Sequence, residues 1–552
     1  IAGGKIGESD TNSPANINTK AIVTQVGSIA ARSGTGIYIQ ELDALSIESI
    51  SNNVVQVNFR GNTTDRTQVL EDLTTTNNGP VKLQSLAGSI TVNAGTTGTN
   101  GITAHGTGDI LLQTLSNGTI VANAMIQSGS GNISLSSREA LVLEDRIRTS
   151  GPGSIVLESQ GSITLGATST FTTNNANLGV FAGGDVRIGS INAGTGQVYL
   201  QASGDIKDSD SSANSTNVVA SAAAMRAGGK IGNSDTGSSS GSINRNAIGT
   251  QVSGLAAQSA TGIYIQETDG LTIDSVSVSS SQVNFNSTRT ALSQVLEDLT
   301  TTNNGPVKLQ SLAGSITVNA GTTGTNGITA HGTGDILLQT LSNGTIVANA
   351  MIQSGSGNIS LSSREALVLE DRIRTSGPGS IVLESQGSIT LGATSTFTTN
   401  NANLGVFAGG DVRIGSINAG TGSVLLASGG NISEINPSTT ATQIVAQNLS
   451  MRASGRIGDS DLMNSTFDNN RNAIIINATN LAARASDSIY IQDKGVITVD
   501  RISTRLTQVE FNSTTTDRSE VIEDLSTTAN NGNIKLQSLA GDITINAGTP
   551  GT

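Results

Sequence analysis

The sequence predicts an all-β chain: a single elongated parallel β-solenoid, or β-helix, of about 21 residues per coil, built from tandem 226-residue units. Three observations predict it. A long block recurs without a change, a short Gly-initiated strand motif recurs inside that block, and the composition suits a narrow aliphatic interior.

The long repeat comes first. Gln68 to Gly196 returns as Gln294 to Gly422, an offset of 226. A third copy begins near Met451, since Ser488-Ile489-Tyr490-Ile491-Gln492 matches Gly36 to Gln40 and Gly262 to Gln266 at that offset. The organisation expected is therefore unit 1 over 1–224, N-terminally incomplete, unit 2 over 225–450 and a partial unit 3 over 451–552, all in one continuous solenoid. Ala2-Gly3-Gly4-Lys5-Ile6-Gly7 corresponds to Ala227 to Gly232, inside a unit, so a window cut from a longer protein is the expectation.

Inside the unit, one series reads Gly88-Ser89-Ile90-Thr91-Val92, Gly108-Asp109-Ile110-Leu111-Leu112, Gly131-Asn132-Ile133-Ser134-Leu135 and Gly153-Ser154-Ile155-Val156-Leu157. A second, interleaved series runs from Gly79-Pro80-Val81-Lys82-Leu83 to Gly204-Asp205-Ile206 in about six steps, which sets the coil period. Period-two alternation makes each motif a short strand with one apolar face. The initial Gly is expected to supply positive φ at a sharp turn. Tight hairpins would bring such strands much closer together in sequence; a steady longer spacing instead stacks coils about 4.8 Å apart, like residue over like. Ala30-Ala31, Ala256-Ala257 and Ala482-Ala483 lead into strand-like runs, and no stretch sustains a capped helical period.

Composition narrows the function classes. With 66 Gly, 7 Pro, no Trp, 2% aromatic and 13% charged residues, the interior must be thin and aliphatic. Low charge and regular β-branched residues oppose a solvated coil, and the lack of a Gly-X-Y period opposes collagen. A net charge of -13 without a basic stretch argues against a nucleic-acid partner. The absence of Cys removes disulfides, thiolate metal sites and a Cys nucleophile. There is no apolar run of about 18 residues, so no membrane insertion is expected in this stretch, and Ile1-Ala2-Gly3-Gly4 is not a signal peptide.

Segments that differ among the copies point to contact sites. Ser9-Asp10, Ser234-Asp235 and Ser460-Asp461 each precede a polar stretch of changing sequence that ends at Ala21-Ile22, Ala247-Ile248 and Ala473-Ile474. A fixed stem with a variable tip reads as a projecting loop, and Asp10, Asn12, Asp235, Asp461 and Asn464 are its contact candidates.

The Gly-x-Ile-x-Leu strands, the lack of Cys, the Ser/Thr/Asn/Gly richness and the near-identical tandem units resemble the giant repetitive surface exoproteins of bacteria, of the filamentous-haemagglutinin type. That resemblance implies a right-handed β-helical shaft, export across the outer membrane, and a secreted or cell-surface role in attachment or surface architecture. It implies partners of three kinds: further copies of the repeat in cis, other shafts alongside or end to end, and a host or neighbouring cell surface or its glycans.

Other chemistry competes with this reading. β-Helix polysaccharide lyases and hydrolases, and phage tailspikes, need facing carboxylates. Glu71-Asp72, Glu297-Asp298 and Glu523-Asp524 are adjacent on one strand and point to opposite faces unless the strand bulges, and Glu144-Asp145 recurs as Glu370-Asp371. Catalytic clusters are normally single, whereas these are repeated, so no enzyme is expected and no catalytic residue is assigned. An ice-binding face would need regular Thr-x-Thr pairs, which are only scattered. His105 and His331 occupy equivalent turns without a second His. No cofactor is expected; the carboxylates offered to a calcium ion are Asp208 and Asp210 in Asp208-Ser209-Asp210, with Asp10, Asp235 and Asp461 at the stems. Side-chain capping of turns is the simpler role for all five. The Asn-x-Ser/Thr triplets, Asn132-Ile133-Ser134 among them, follow from composition.

Overall fold

The computed structural model describes residues 1–210, 215–239, 241–436, 441–460, 472–528 and 531–547. Among them there are strands and turns but no helix. Contacts divide the chain into two compact units: Ile1–Gly232 with Ile248–Val252 and Val276–Leu296, and Asn233–Ala247 with Ser253–Ser275 and Glu297–Thr552.

In the first unit the coils are three-sided parallel stacks. Face A begins with Val81–Ser85, Ile110–Thr114 and Ile133–Ser137, face B with Ile90–Val92, Ile120–Ala122 and Leu141–Leu143, and face C with Leu73–Thr75, Asn100–Ala104 and Met125–Ser128. The pairings along face A are parallel and in register, for example Ile133 on Ile155 and Leu135 on Leu157. The second unit repeats the arrangement, with Val307–Ser311 stacked on Ile336–Thr340. The parallel β-solenoid is thus present in each unit.

Alternation sets the core. Ile110, Leu112, Ile133, Leu135, Ile155 and Leu157 point inward from face A and are fully buried. Each such side chain contributes roughly 1.5–3 kcal/mol of transfer free energy. The lumen takes one aromatic per repeat, Phe171 or Phe397, both buried on face C, with Phe171 between Ile147 and Ile191. Hydroxyls close the corners from inside: Thr75 Oγ1 donates to the Gly79 carbonyl at 2.6 Å and Thr149 Oγ1 to that of Gly153 at 2.9 Å. Outside, amides form a ladder, with Gln40, Gln84 and Gln113 joined by bonds of 2.9 Å.

Coil length is not constant. Val81, Ile110, Ile133, Ile155, Leu178, Val198 and Ala223 stack in turn, so the step from Val81 to Ile110 is the longest and that from Leu178 to Val198 the shortest. The spacing read from the sequence is therefore near the short end. The longest step holds an extra loop at 93–99, and Glu71 fastens it by accepting from the Thr96 amide and from the hydroxyls of Thr96 and Thr97. In the second unit Val412 stacks on Ile432, Ile432 on Ile457, Ile457 on Ile489, and Ile489 on Ile534. Face B of one repeat thereby becomes face A of the next, so the long repeat does not close a whole number of coils.

The motif glycines correct one expectation. Gly88 and Gly118 do have φ of 103° and 111°, but Gly108, Gly131 and Gly153 are not in the left-handed region. Their requirement is space: a Cβ on Gly131 would lie 2.1 Å from the Gly108 carbonyl oxygen, and one on Gly153 2.0 Å from that of Gly131. Like stacked on like brings backbone onto backbone at this corner.

The parallel reading did not foresee three antiparallel hairpins. Ile50–Val57 pairs with Thr63–Leu70, Val276–Val283 with Arg289–Leu296, and Ile502–Val509 with Thr515–Ile522. They are inserted between faces B and C of the coil that opens each repeat.

Gly131→Ala is expected to destabilise the protein by about 2–4 kcal/mol, because the clash is with backbone and cannot be relieved by a rotamer. Gly98, whose Cβ would meet only the Asn100 amide nitrogen at 3.9 Å, is the control. Gly98→Ala should stay within about 0.5 kcal/mol in the same urea titrations.

Candidate functional site

Strand alternation that sends Val81 and Leu83 inward sends Lys82 outward, and stacking continues that outward row through Leu111, Ser134, Val156, Gly179 and Tyr199. An outward row should be wet, yet Leu111, Val156 and Tyr199 are buried. The hairpin 276–296 covers them. The counterpart row in the second unit, Lys308, Leu337, Ser360, Val382, Gly405 and Leu425, lies under the hairpin 502–522.

Each hairpin lies along the stack with its tip toward the lysine. Phe511 and Val509 pack with Tyr264 and Leu337, while Ile502, Leu506 and Ile522 pack with Val382, Leu425 and Ala482. In the first unit Val283 and Phe285 cluster with Leu111. Polar bonds fix the register: the Val283 amide donates to Ser134 Oγ and the Val509 amide to Ser360 Oγ, both at 2.8 Å. Asn177 Nδ2 donates to the Ser279 carbonyl at 2.6 Å and Asn403 Nδ2 to that of Arg505 at 2.8 Å.

Beneath the tips, Lys82 Nζ donates to the Asn284 carbonyl and Lys308 Nζ to the Glu510 carbonyl, each at 2.6 Å. Burial pushes both ammonium groups down, Lys82 to about 7 and Lys308 to about 8, against the opposing pull of Asp109 and Asp335.

The rims differ between the two copies. Arg289 grips Asp109 with two bonds, at 3.0 and 2.8 Å. In the second unit Arg518 bonds Glu384 at 3.1 Å and lies 4.4 Å from the Phe407 ring centre, and Arg452 bonds Glu520 at 2.6 Å. Beside each hairpin an open polar groove remains. The second unit's is about 580 Å³, lined by Arg364, Glu384, Gln386, Phe407 and Arg518 among others. The first unit's is about 310 Å³, with Arg138, Glu158 and Gln160. Among the described residues Glu384 is the one carboxylate lining the larger groove, and it is engaged by Arg518 and by Gln508.

The loop bearing Asp10 and Asn12 reaches the hairpin tip. Asn286 Nδ2 donates to the Ser13 carbonyl at 2.7 Å, and the Asn286 amide to that of Ala15 at 3.2 Å. Asp10 itself accepts from Thr19 and Ser13 within the loop, at 2.5 and 2.7 Å, and these bonds lower its pKa. Asn12 is exposed. Asp235 is half-buried in the matching loop, whose Ser238 and Gly241 carbonyls accept from Asn512 Nδ2 and the Phe511 amide. Asp461 and Asn464 lie outside the described residues. Asp208 accepts from the Asp210 amide, Ser215 Oγ and Asn217 Nδ2, and burial raises its pKa. Among the described residues no three Asp, Glu, His or Cys side chains gather as a bound cation would need.

The repeated carboxylate pairs Glu71-Asp72, Glu297-Asp298 and Glu523-Asp524 sit at corners between two strands and not on one strand. Asp72, Asp298 and Asp524 have φ of 62°, 61° and 57°. Burial raises the pKa of Asp298 to about 6, while Glu297 is held low by the hydroxyls of Thr322 and Thr323. His105 and His331 bond through Nδ1 to the Thr75 and Thr301 carbonyls of the preceding coil. The residues that sequence reasoning missed are Lys82, Lys308, Phe285 and Phe511. The signal for the two phenylalanines is a stretch without the Gly-x-Ile motif, in which Val283-Asn284-Phe285-Asn286-Ser287-Thr288 and Val509-Glu510-Phe511-Asn512-Ser513-Thr514 punctuate alternating runs.

No family model, no curated protein and no solved structure matches this chain.

Phe511→Ala is expected to cost about 3–5 kcal/mol in hairpin docking, read as faster proteolysis within 502–522. A second outcome concerns pH. The buried lysines bind their protons less tightly folded than unfolded, so the penalty of burying the charge is constant below their folded pKa values. It is relieved as pH rises from about 7 toward 10.5, the unfolded value. Urea midpoints should therefore climb between pH 7 and 9, and the double variant Lys82→Met/Lys308→Met should lose that slope.

Proposed function

We propose that this chain is a length-building segment of a non-catalytic, structural or adhesive shaft on a large secreted or cell-surface protein, of the filamentous-haemagglutinin type. The single observation that supports this reading best is the reuse of one sequence block, Gln68 to Gly196, each copy with its own aliphatic lumen and its own hairpin strap. A stack in which coils touch coils above and below gains length by adding copies, without redesign of any site. Outside a bacterial cell such a segment would hold a terminal binding region away from the surface, or would pack against further copies of the same repeat. The acidic exterior and the polar grooves beside the hairpins suit contact with other surfaces or their glycans rather than with nucleic acid.

Chains with one, two and three repeats imaged by negative-stain electron microscopy should give rods of constant width. Their length should grow by about 40 Å per repeat, from a little over eight coils at about 4.8 Å each. Globular particles, or lengths that do not grow with repeat number, would overturn the proposal.

A further inference from the structure

The hairpins 276–296 and 502–522 close rows that are identical over most of their length. Lys82, Leu111, Ser134, Val156 and Gly179 recur as Lys308, Leu337, Ser360, Val382 and Gly405, so these residues offer a hairpin nothing by which to tell one flank from the other. The next two places in each row lie beyond the recurring block and differ. They are Tyr199 and Ala224 in the first unit, Leu425 and Ser450 in the second, and all four are buried. The rim does not discriminate either, because Asp109 and Glu158 recur as Asp335 and Glu384.

The hairpin strands over these rows differ at matching positions. Their inward side chains alternate through Val276, Val278 and Ser280 in one copy and Ile502, Thr504 and Leu506 in the other, all buried. Val276 and Ile502 are alike, whereas the other two positions change in size or polarity. Over the second flank, Leu506 packs with Leu425 and Val382, and its Cδ1 lies 2.2 Å from where a Cβ on Gly405 would stand. Over the first flank, where the row carries the larger Tyr199, the hairpin carries the smaller Ser280, whose Oγ lies 3.1 Å from the Cβ position of Gly179. The other position answers in polarity. Thr504 Oγ1 lies 3.4 Å from Ser450 Oγ, both hydroxyls buried, whereas the apolar Val278 covers the flank that carries Ala224.

We infer that these two positions are the specificity determinants by which a strap recognises its flank: Ser280 and Val278 select Tyr199 and Ala224, and Leu506 and Thr504 select Leu425 and Ser450. In a run of repeats whose flanks are otherwise alike, a strap of one kind is thereby directed away from a flank of the other kind. Leu506 over the first flank would have to share its space with the Tyr199 ring, and Thr504 would bury its hydroxyl against the Ala224 methyl. Ser280 over the second flank would leave the volume of a Leu side chain empty, and Val278 would deprive Ser450 of its hydroxyl neighbour. Phe285 and Phe511 at the tips, with Lys82 and Lys308 beneath them, are common to both copies and supply seating without choice. The inference rests on the strap contacts alone, so failure of the length test above leaves it standing.

A mutant cycle in the full chain tests this. The strap pair Leu506→Ser/Thr504→Val, the flank pair Leu425→Tyr/Ser450→Ala, and all of these changes together are compared with the parent. Hydrogen exchange at the Val509 amide, which donates to Ser360 Oγ, reads strap opening. The amides of Ile381–Ser385, in a coil beneath the strap, read whether the coils stay folded. Either pair alone should speed Val509 exchange by roughly tenfold or more, and the combined variant should return to within about threefold of the parent. Effects that simply multiply in the combined variant, or single-pair variants that exchange like the parent, overturn the inference. If the coils beneath open in any of these chains, the reciprocal cycle in the first unit decides by the same criterion. It sets Ser280→Leu/Val278→Thr against Tyr199→Leu/Ala224→Ser and is read at the Val283 amide.

Discussion

Everything in this protein depends on in-register stacking of parallel strands at one coil's separation. Because the backbone of each coil bonds to the next with little stagger, a residue's environment is set by the residue above and below it in its column. An apolar column becomes a core, an amide column becomes a ladder such as Gln40, Gln84 and Gln113, and a column of glycines allows carbonyls to approach to where a Cβ would lie. The same constraint explains why the sequence tolerates so few aromatics inside. Phe171 fits on face C, while the other large rings, such as Tyr199 and Phe181, stand outside with their centres 5.6 Å apart.

Stacking also creates a problem that the hairpins solve. Columns on the outer side of face A cannot all be polar once Leu111, Val156 and Tyr199 or Leu337, Val382 and Leu425 are placed there, and an exposed apolar strip along a parallel sheet invites association. A strap that returns along the strip buries it and satisfies its own tip through Lys82 or Lys308. The cost is a buried ammonium, offset by the carbonyl it bonds and by Asp109 or Asp335 nearby. The loops bearing Ser13 and Ser238 are drawn into the same arrangement, since the carbonyls of these residues receive Asn286 and Asn512.

The solenoid was legible because its signal is local and repeated: Gly131-Asn132-Ile133-Ser134-Leu135 states a strand, a corner and a face in one short motif. The reason for the glycine was not legible, since close approach to Gly108 depends on the coil beneath and φ alone does not require it. Coil length was underestimated because the extra segment 93–99 is hidden in a loop that Glu71 fastens across coils. The hairpins were missed for a related reason. Their strands alternate like coil strands, so Val278 and Ser280 read as one more inward-facing pair until the partner over which they lie is seen. Lys82 gave no sign at all, being a single cation in an outward position whose burial is created by a segment 202 residues away.

That distance changes how a repeat stack should behave. In a pure nearest-neighbour array, unfolding can start at any coil and spread at the expense of one interface at a time. A strap seated from Leu337 to Ala482 binds coils that do not touch each other, so opening any one of them loosens the contacts of the rest. The strap therefore turns a run of separable coils into one cooperative block. Its placement in the opening coil of the following repeat means that each block is closed by residues supplied after it in the chain. Copies with nearly identical flanks then carry hairpins that differ where the flanks differ. Between the two copies that difference falls at Tyr199 and Leu425, just beyond the identical block, opposite Ser280 and Leu506. Part of the variation outside the identical block thus falls where a strap meets the flank it covers.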